Sequence, residues 1–228
     1  MKTLVVATRN DHKVEEIRAL IGNRFRFQTL KEYPDAPNVV EDAPTFAGNA
    51  TRKAVSLAKW LAAREPALGS EDQTWVLADD SGLEVDALKG APGVHSARFA
   101  AVDSAERGNS PDEDNNRKLL NLLHDIPESK RTARFRCVIA LTPLVAASPS
   151  SASPVCSLDE FELQTQLFQG ACEGRIGFEP KGESGFGYDP LFTPEGLHQT
   201  FAELGEDVKN QISHRAKAIS EFVRRFPA

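Results

Sequence analysis

The sequence predicts an α/β fold in which a mixed central β-sheet is flanked by helices. Two observations carry this. Short apolar runs that read as strands interleave with segments whose apolar residues recur at helical spacing. One consecutive pair, "RTARFRCVIALTP" and "DEFELQTQLFQG", alternates in the way antiparallel neighbours do. At 228 residues the chain suits one domain over residues 1–228, or one domain with two lobes.

The elements follow in order. "TLVVAT", Thr3 to Thr8, reads as a buried first strand. "DHKVEEIRALIG" has Val14, Ile17, Leu20 and Ile21 at helical spacing, with Gly22 as its stop. Residues 34–44 read as loop. "TFAGNATRKAVSLAKWLAA" reads as a helix capped by Thr45, with Ala50, Ala54, Leu57 and Leu61 along one face. "ALGSEDQ" is a polar link to the strand that begins at Trp75. A helix from near Pro111 would use Leu119, Leu120, Leu122 and Leu123 as its apolar side. "RTARFRCVIALTP" turns apolar as a strand does on entering a core. The Ser/Pro-rich segment 146–154 reads as a hairpin tip or surface insertion, with "DEFELQTQLFQG" returning from it. "VKNQISHRAKAISEFVRRF" reads as one closing amphipathic helix through Val208, Ile212, Ile219, Phe222 and Phe226.

Composition excludes several classes. The formal net charge is −6 with no long basic run, so nucleic acid is not an expected partner. A local site for a small anion stays open, because net charge governs steering rather than the contents of a pocket. No apolar run approaches the ~18 residues of a membrane span. The apolar part of "MKTLVVATRN" is too short for a secretory signal. The expectation is a cytoplasmic protein with no membrane partner. Cys137, Cys156 and Cys172 are odd in number and form no CxxC pair, so they read as free thiols.

Four segments hold candidate chemistry. In "WVLADDSGLEVDALKGAPGVHSARF" an apolar strand runs into Asp79 and Asp80. An unpaired buried carboxylate costs on the order of several kcal/mol. Either a metal ion compensates, or an Asp-Ser-Gly turn keeps both acids in water. If the strand runs on, the two side chains point to opposite sides, one toward a site and one held by backbone N–H groups of a following turn. Gly82, Gly90 and Gly93 would let the chain fold back, with "GAPG" as a rigid turn. In "TRNDHK", Thr8, Asn10 and Lys13 offer a hydroxyl, an amide and a charge at a helix N-terminus, where an anion can bind. They can equally be plain helix caps. In "VEDAPTFAGNATRKA", Glu41 precedes the cap, and Asn49 and Lys53 lie four residues apart on one helical face. Either charge can simply be solvated. In "GESGFGYDPLF", Phe186 and Tyr188 alternate with Gly185 and Gly187 before Asp189-Pro190, as a stacking platform or as an inward-packed loop. Lys209, His214 and Arg215 follow in a helical pattern whose middle is ordinarily exposed.

Together these segments resemble the inosine triphosphate pyrophosphatase family, also called Ham1-like or noncanonical purine NTP pyrophosphatases. "ATRNDHK" stands where the family has Thr-Gly-Asn-x-x-Lys, and "EDAPTFAGNA" where it has Glu-Thr-Gly-x-Thr-Phe-x-x-Asn-Ala. "ADDSGLEVDAL", "GAPGVHSAR", "GFGYDPLF" and "ISHR" match its remaining signatures in order. Arg9 departs from the family's Gly, and Asp42-Ala43 from its Thr-Gly; Arg9 would add a phosphate contact or narrow the pocket.

The resemblance implies two lobes with the active site in the cleft between them, and usually a homodimer. It implies Mg²⁺-dependent hydrolysis of ITP, dITP and XTP to the monophosphate and pyrophosphate. Asp80 would be the general base, with Glu41 and Asp80 at the metal and Asp79 a further contributor. Substrate contacts would come from Thr8, Arg9, Asn10, Asp11, His12, Lys13, Lys53 and Ser81. Phe186, Gly187, Tyr188 and Asp189 would hold the purine, and Lys209, His214 and Arg215 would read its edge. Arginine has donors and no acceptor, so it suits a 6-oxo group. Adenine's 6-amino group would leave a buried donor unpaired, at about 1–3 kcal/mol. Guanine carries the same 6-oxo group, so its rejection needs another contact. A haloacid-dehalogenase-like phosphatase would want Asp-x-Asp rather than adjacent acids. A Maf-like pyrophosphatase would differ in base preference. A non-catalytic nucleotide binder would dispense with Glu41 and Asp80, and a binder of inosine-containing nucleic acid would need a basic surface.

Overall fold

The structure is a computed structural model that describes residues 1–65, 74–102, 108–144 and 159–227. The expected link at 67–73 and insertion at 146–154 lie outside these residues, as does Cys156. The chain forms β1 (Thr3–Val6), α1 (Asp11–Ile21), β2 (Arg26–Thr29), α2 (Phe46–Arg64), β3 (Thr74–Val85) and α3 (Asp112–Leu122). Then follow β4 (Thr132–Pro143), α4 (Glu160–Leu163), β5 (Gln166–Ile176), β6 (Phe192–Pro194), α5 (Phe201–Ile212) and α6 (His214–Arg225). The strands order β2-β1-β3-β4-β5-β6. β1 runs parallel to both neighbours, with Val5 opposite Gln28 and Val76, whereas β5 and β6 are antiparallel. The sheet is therefore mixed, as the sequence predicts.

Local signals explain the main helices. Asn10 caps α1 by accepting from the Lys13 N–H, and Gly22, at φ 63, ends it by donating to the Arg18 carbonyl. Thr45 caps α2 by accepting from the Gly48 N–H. Ala50, Ala54, Leu57 and Leu61 are all buried, as their spacing requires.

The chain divides into two compact units. The first comprises Met1–Asp80, Val138–Phe168 and Ile219–Ala228. Its core contains β1 with all four residues buried, and a stack of Phe25, Phe222 and Phe226 at centroid separations of 5.6 to 6.0 Å. The second comprises Ser81–Cys137 and Gln169–Ala218. Its core gathers Leu83, Phe99, Leu119, Phe135, Phe192 and Phe201. Arg131 is buried there, donating to the carbonyls of Leu123, Ile126 and Gly177 at 2.6 to 2.9 Å while its guanidinium lies 3.9 Å from the Phe178 ring centroid. Cys137 and Cys172 are both buried. Among the described residues no helix is long and apolar enough to cross a membrane.

Several elements differ from expectation. β2 is an edge strand whose burial does not alternate, so "RFQT" carries no period to read. Leu122 is 49% exposed, because the buried stripe of α3 runs through Asn116, Leu119 and the flanking Leu123 and leaves it to one side. "EFEL" forms one helical turn, capped by Asp159, rather than strand; β5 begins only at Gln166. The closing helix is two helices. Ser213 is extended at φ −67 and ψ 163, and its hydroxyl accepts from the Ala216 N–H to start α6 afresh.

Candidate active site

β3 does not turn at Asp79 and Asp80. It continues to Val85, and both carboxylates are buried, at 1% and 5% exposure. Two lysines on two helices neutralise them. Lys13 Nζ of α1 lies 2.5 Å from Asp79 Oδ1, and Lys53 Nζ of α2 lies 2.8 Å from Asp80 Oδ1. Successive strand residues face opposite ways, which lets neighbouring acids meet different helices. The alternative of a surface turn is thus overturned, because the strand runs on through both acids and buries them. The reversal comes later, where Gly90 and Gly93 adopt φ 89 and 56 and the Val85 N–H donates to the Ala91 carbonyl.

Asp80 is the centre of this cluster. Asn49 and Lys53 lie one helical turn apart and converge on it, Asn49 Nδ2 at 3.4 Å from Oδ2. Lys53 also reaches Glu41 Oε2 at 3.2 Å. Asn49 Oδ1 accepts from the Ala43 N–H, which ties the segment carrying Glu41 to the helix. Burial pushes Asp80 up to about 6, against the pull of Lys53 and Lys13, and the Glu41 charge pushes the same way. Burial would raise Glu41 too, but Lys53, a hydrogen bond with Asp80 and the Lys13 charge together hold it below the usual carboxylate range. The same anions keep Lys53 above its usual value despite burial. Burial thus favours the protonated form of Asp80 while the neighbouring cations favour the charged form of Glu41, a division suited to a general base and a fixed anion.

The first loop is mostly occupied with itself. Thr8 Oγ1 accepts from the Asn10 N–H, and Asn10 caps α1. Arg9 donates to the Ala36 carbonyl at 2.8 Å and to Asn38 Oδ1 at 3.2 Å, so it tethers that segment. Asp11 forms an exposed ion pair with Lys31, and His12 is exposed.

The second unit carries the aromatic loop and its cations. Phe186 is half-buried, and the Lys209 ammonium sits 4.5 Å from its ring centroid. Asp189 is buried, accepting from Lys209 Nζ at 2.6 Å and from the Phe186 N–H at 2.9 Å. Arg215 donates to Ser81 Oγ at 2.8 Å, within the same unit. Tyr188 takes the inward-packing alternative: it is buried in the core and donates to the Ser96 carbonyl at 2.9 Å. His214 and Arg215 are 4% and 1% exposed, not surface residues of a helix middle. The break at Ser213 places them in the first turn of α6, where the His214 ring stacks on Phe135 at 4.8 Å. Gly187 is held by Asp112 and Asn116 of α3, two contacts that nothing in their polar surroundings signals in advance.

Among the described residues no group of three or more His, Cys, Asp or Glu side chains is gathered as a metal site. Glu41 and Asp80 converge on one ammonium group, so a pair of hard oxygen donors already shares one cationic position. Such a pair fits Mg²⁺, which takes one or two carboxylates, keeps several waters and draws further oxygens from substrate phosphates.

A buried carboxylate paired with ammonium groups beside a second acid can act as a base next to a bound polyanion. The chain belongs to the Ham1 family, whose profile matches residues 4–225. It is 43% identical over 220 residues to the dITP/XTP pyrophosphatase of Shouchella clausii, covering 96% of this chain and 94% of that one. The dITP/XTP pyrophosphatase of Geobacillus kaustophilus is 41% identical over 97% of this chain and 92% of its own. A HAM1 protein from Coxiella burnetii superposes with a TM-score of 0.75 at 33% identity, over 99% of this chain and 98% of that one.

Proposed function

We infer that this protein hydrolyses noncanonical purine nucleoside triphosphates, ITP, dITP and XTP, to the nucleoside monophosphate and pyrophosphate, and so cleanses the nucleotide pool. The observation that carries the reading is Asp80, buried between Lys53 and Asn49, with Lys53 also reaching Glu41. Asp80 takes the proton of a water that attacks the α-phosphorus, and the pyrophosphate leaves. Lys13 and Lys53 are the cations that meet the triphosphate, with Thr8 and Asn10 beside them. Glu41 and Asp80 would hold Mg²⁺. When bound, the ion offsets the charge that develops on the leaving pyrophosphate. Phe186 stacks on the purine; Tyr188, committed to the core, shapes the loop instead. Arg215 supplies the donor for the 6-oxo group, and its bond to Ser81 is the one that substrate would share or replace. Homodimer formation, which the family resemblance implies, and a cytoplasmic setting, which the composition leads us to expect, belong to the same reading.

The test is to incubate the purified protein with Mg²⁺ and ITP, XTP, ATP or GTP separately and to resolve the released phosphate species. Pyrophosphate from ITP and XTP, with little from ATP or GTP, is the expected result. Orthophosphate would mean a phosphatase. Binding of ITP without any release would mean a non-catalytic nucleotide binder.

A further inference from the structure

Phe186 stands between two glycines in left-handed conformations, Gly185 at φ 82 and Gly187 at φ 64. Glycine accepts many conformations, so local preference does not fix the ring. Part of the fixing comes from α3. The Gly187 N–H donates to Asp112 Oδ2 at 2.6 Å, and the Gly187 carbonyl accepts from Asn116 Nδ2 at 3.0 Å. Asp112 and Asn116 are four residues apart and share one face of the helix. The N–H belongs to the peptide plane between Phe186 and Gly187, and the carbonyl to the plane between Gly187 and Tyr188. One helix thus sets two consecutive planes. That helix is itself anchored: Leu119 lies in the core, and Asn115 accepts from the Ala100 N–H at 2.8 Å.

Asn116 carries a second clue. It is 8% exposed, and its Oδ1 is buried with no hydrogen-bond partner among the described residues. Reversing the amide would set that oxygen against the Gly187 carbonyl, so the loop dictates the orientation. An apolar side chain would fill the place without burying an unpaired acceptor. What the amide adds there is its bond to Gly187.

We propose that Asp112 and Asn116 are positioning residues that set the Gly187 backbone, and through it the Phe186 ring, and so determine how tightly the purine is held. The identity of the ligand rests on the reaction inferred above. Asp189 and Lys209 also hold the loop, so loss of one α3 contact loosens the ring without releasing the segment.

The experiment compares wild type with Asp112→Ala, Asn116→Ala, the shape-preserving Asn116→Leu, and Asp112→Asn, whose side-chain oxygen still accepts from Gly187. Three readouts are taken: kcat and KM for ITP with Mg²⁺, calorimetric Kd for inosine monophosphate, and amide exchange at Gly187. In the Ala and Leu variants KM and Kd rise about tenfold while kcat stays within about twofold, the pattern of a lost ground-state contact. Gly187 exchanges faster in Asp112→Ala, and Asp112→Asn stays near wild type on all three readouts. Unchanged KM and Kd would overturn the proposal, as would a loss confined to thermal stability or a failure of Asp112→Asn to preserve binding. Should Asn116→Ala not fold, Asn116→Leu decides. If wild type releases no pyrophosphate from ITP, the reaction reading falls alone, and monophosphate binding with amide exchange still decides the positioning role. If wild type also binds no monophosphate, the positioning role falls with it.

Discussion

Replacing Lys53 by Met tests the central cluster. The side chain keeps its length and loses its charge, leaving Asp80 and Glu41 without the cation they share. Asp80 is 8% exposed at its side chain and Lys53 12%, at 2.8 Å, so this is a buried pair. Removing one partner of such a pair costs about 3–5 kcal/mol, because the other charge stays buried. Glu41 is 37% exposed at its side chain, so water screens its contact and little is added for it. For a chain of this size the loss corresponds to a fall in Tm of about 6–20 °C. The pH dependence follows from Asp80. Its folded pKa is raised to about 6, above the unfolded value, so its stabilising contribution is present when protonated and is lost as pH rises through that value. Removing Lys53 takes away an attraction that lowers the pKa, and so raises it further. Urea unfolding in the presence of a chelator should therefore show a larger loss at about pH 8 than at about pH 5, where Asp80 carries its proton. An equal loss at both would refute the assignment of the penalty to Asp80.

Asp80→Asn should fold, bind nucleotide and lose turnover by about 10²–10⁴, the range for a general base, in steady-state assays; near-wild-type turnover removes Asp80 from that role. Arg215→Ala should lower kcat/KM for ITP far more than for ATP, and equal losses would show that Arg215 does not read the 6-oxo group. Arg131→Met should cost about 3 kcal/mol or more by urea unfolding, since three carbonyls lose a buried donor, and Arg131→Lys should recover only part because one ammonium cannot reproduce the planar fork.

Much of this was legible in the sequence, for reasons visible in particular residues. α2 declared itself through Thr45 and the spacing of Ala50, Ala54, Leu57 and Leu61, and the shared face of Asn49 and Lys53 followed from their four-residue separation, but their convergence on Asp80 did not. β2 was not legible, because an edge strand of four residues buries too little to leave a pattern. The break at Ser213 was hidden for the opposite reason: apolar spacing continues on both sides, and a serine that caps looks like a serine that is merely exposed. With the break unseen, His214 and Arg215 read as surface residues. The grip of Asp112 and Asn116 on Gly187 joins residues 71 to 75 positions apart, a tertiary contact that no local period encodes.

The two lysines that satisfy Asp79 and Asp80 have a consequence for supply and demand inside a cell. A site whose acids needed a divalent ion to stay buried would come apart whenever that ion ran short. Here the chain brings its own stand-ins, one on α1 and one on α2. On the proposed reading, the two ammonium groups would let the acids stay buried whether or not an ion is bound.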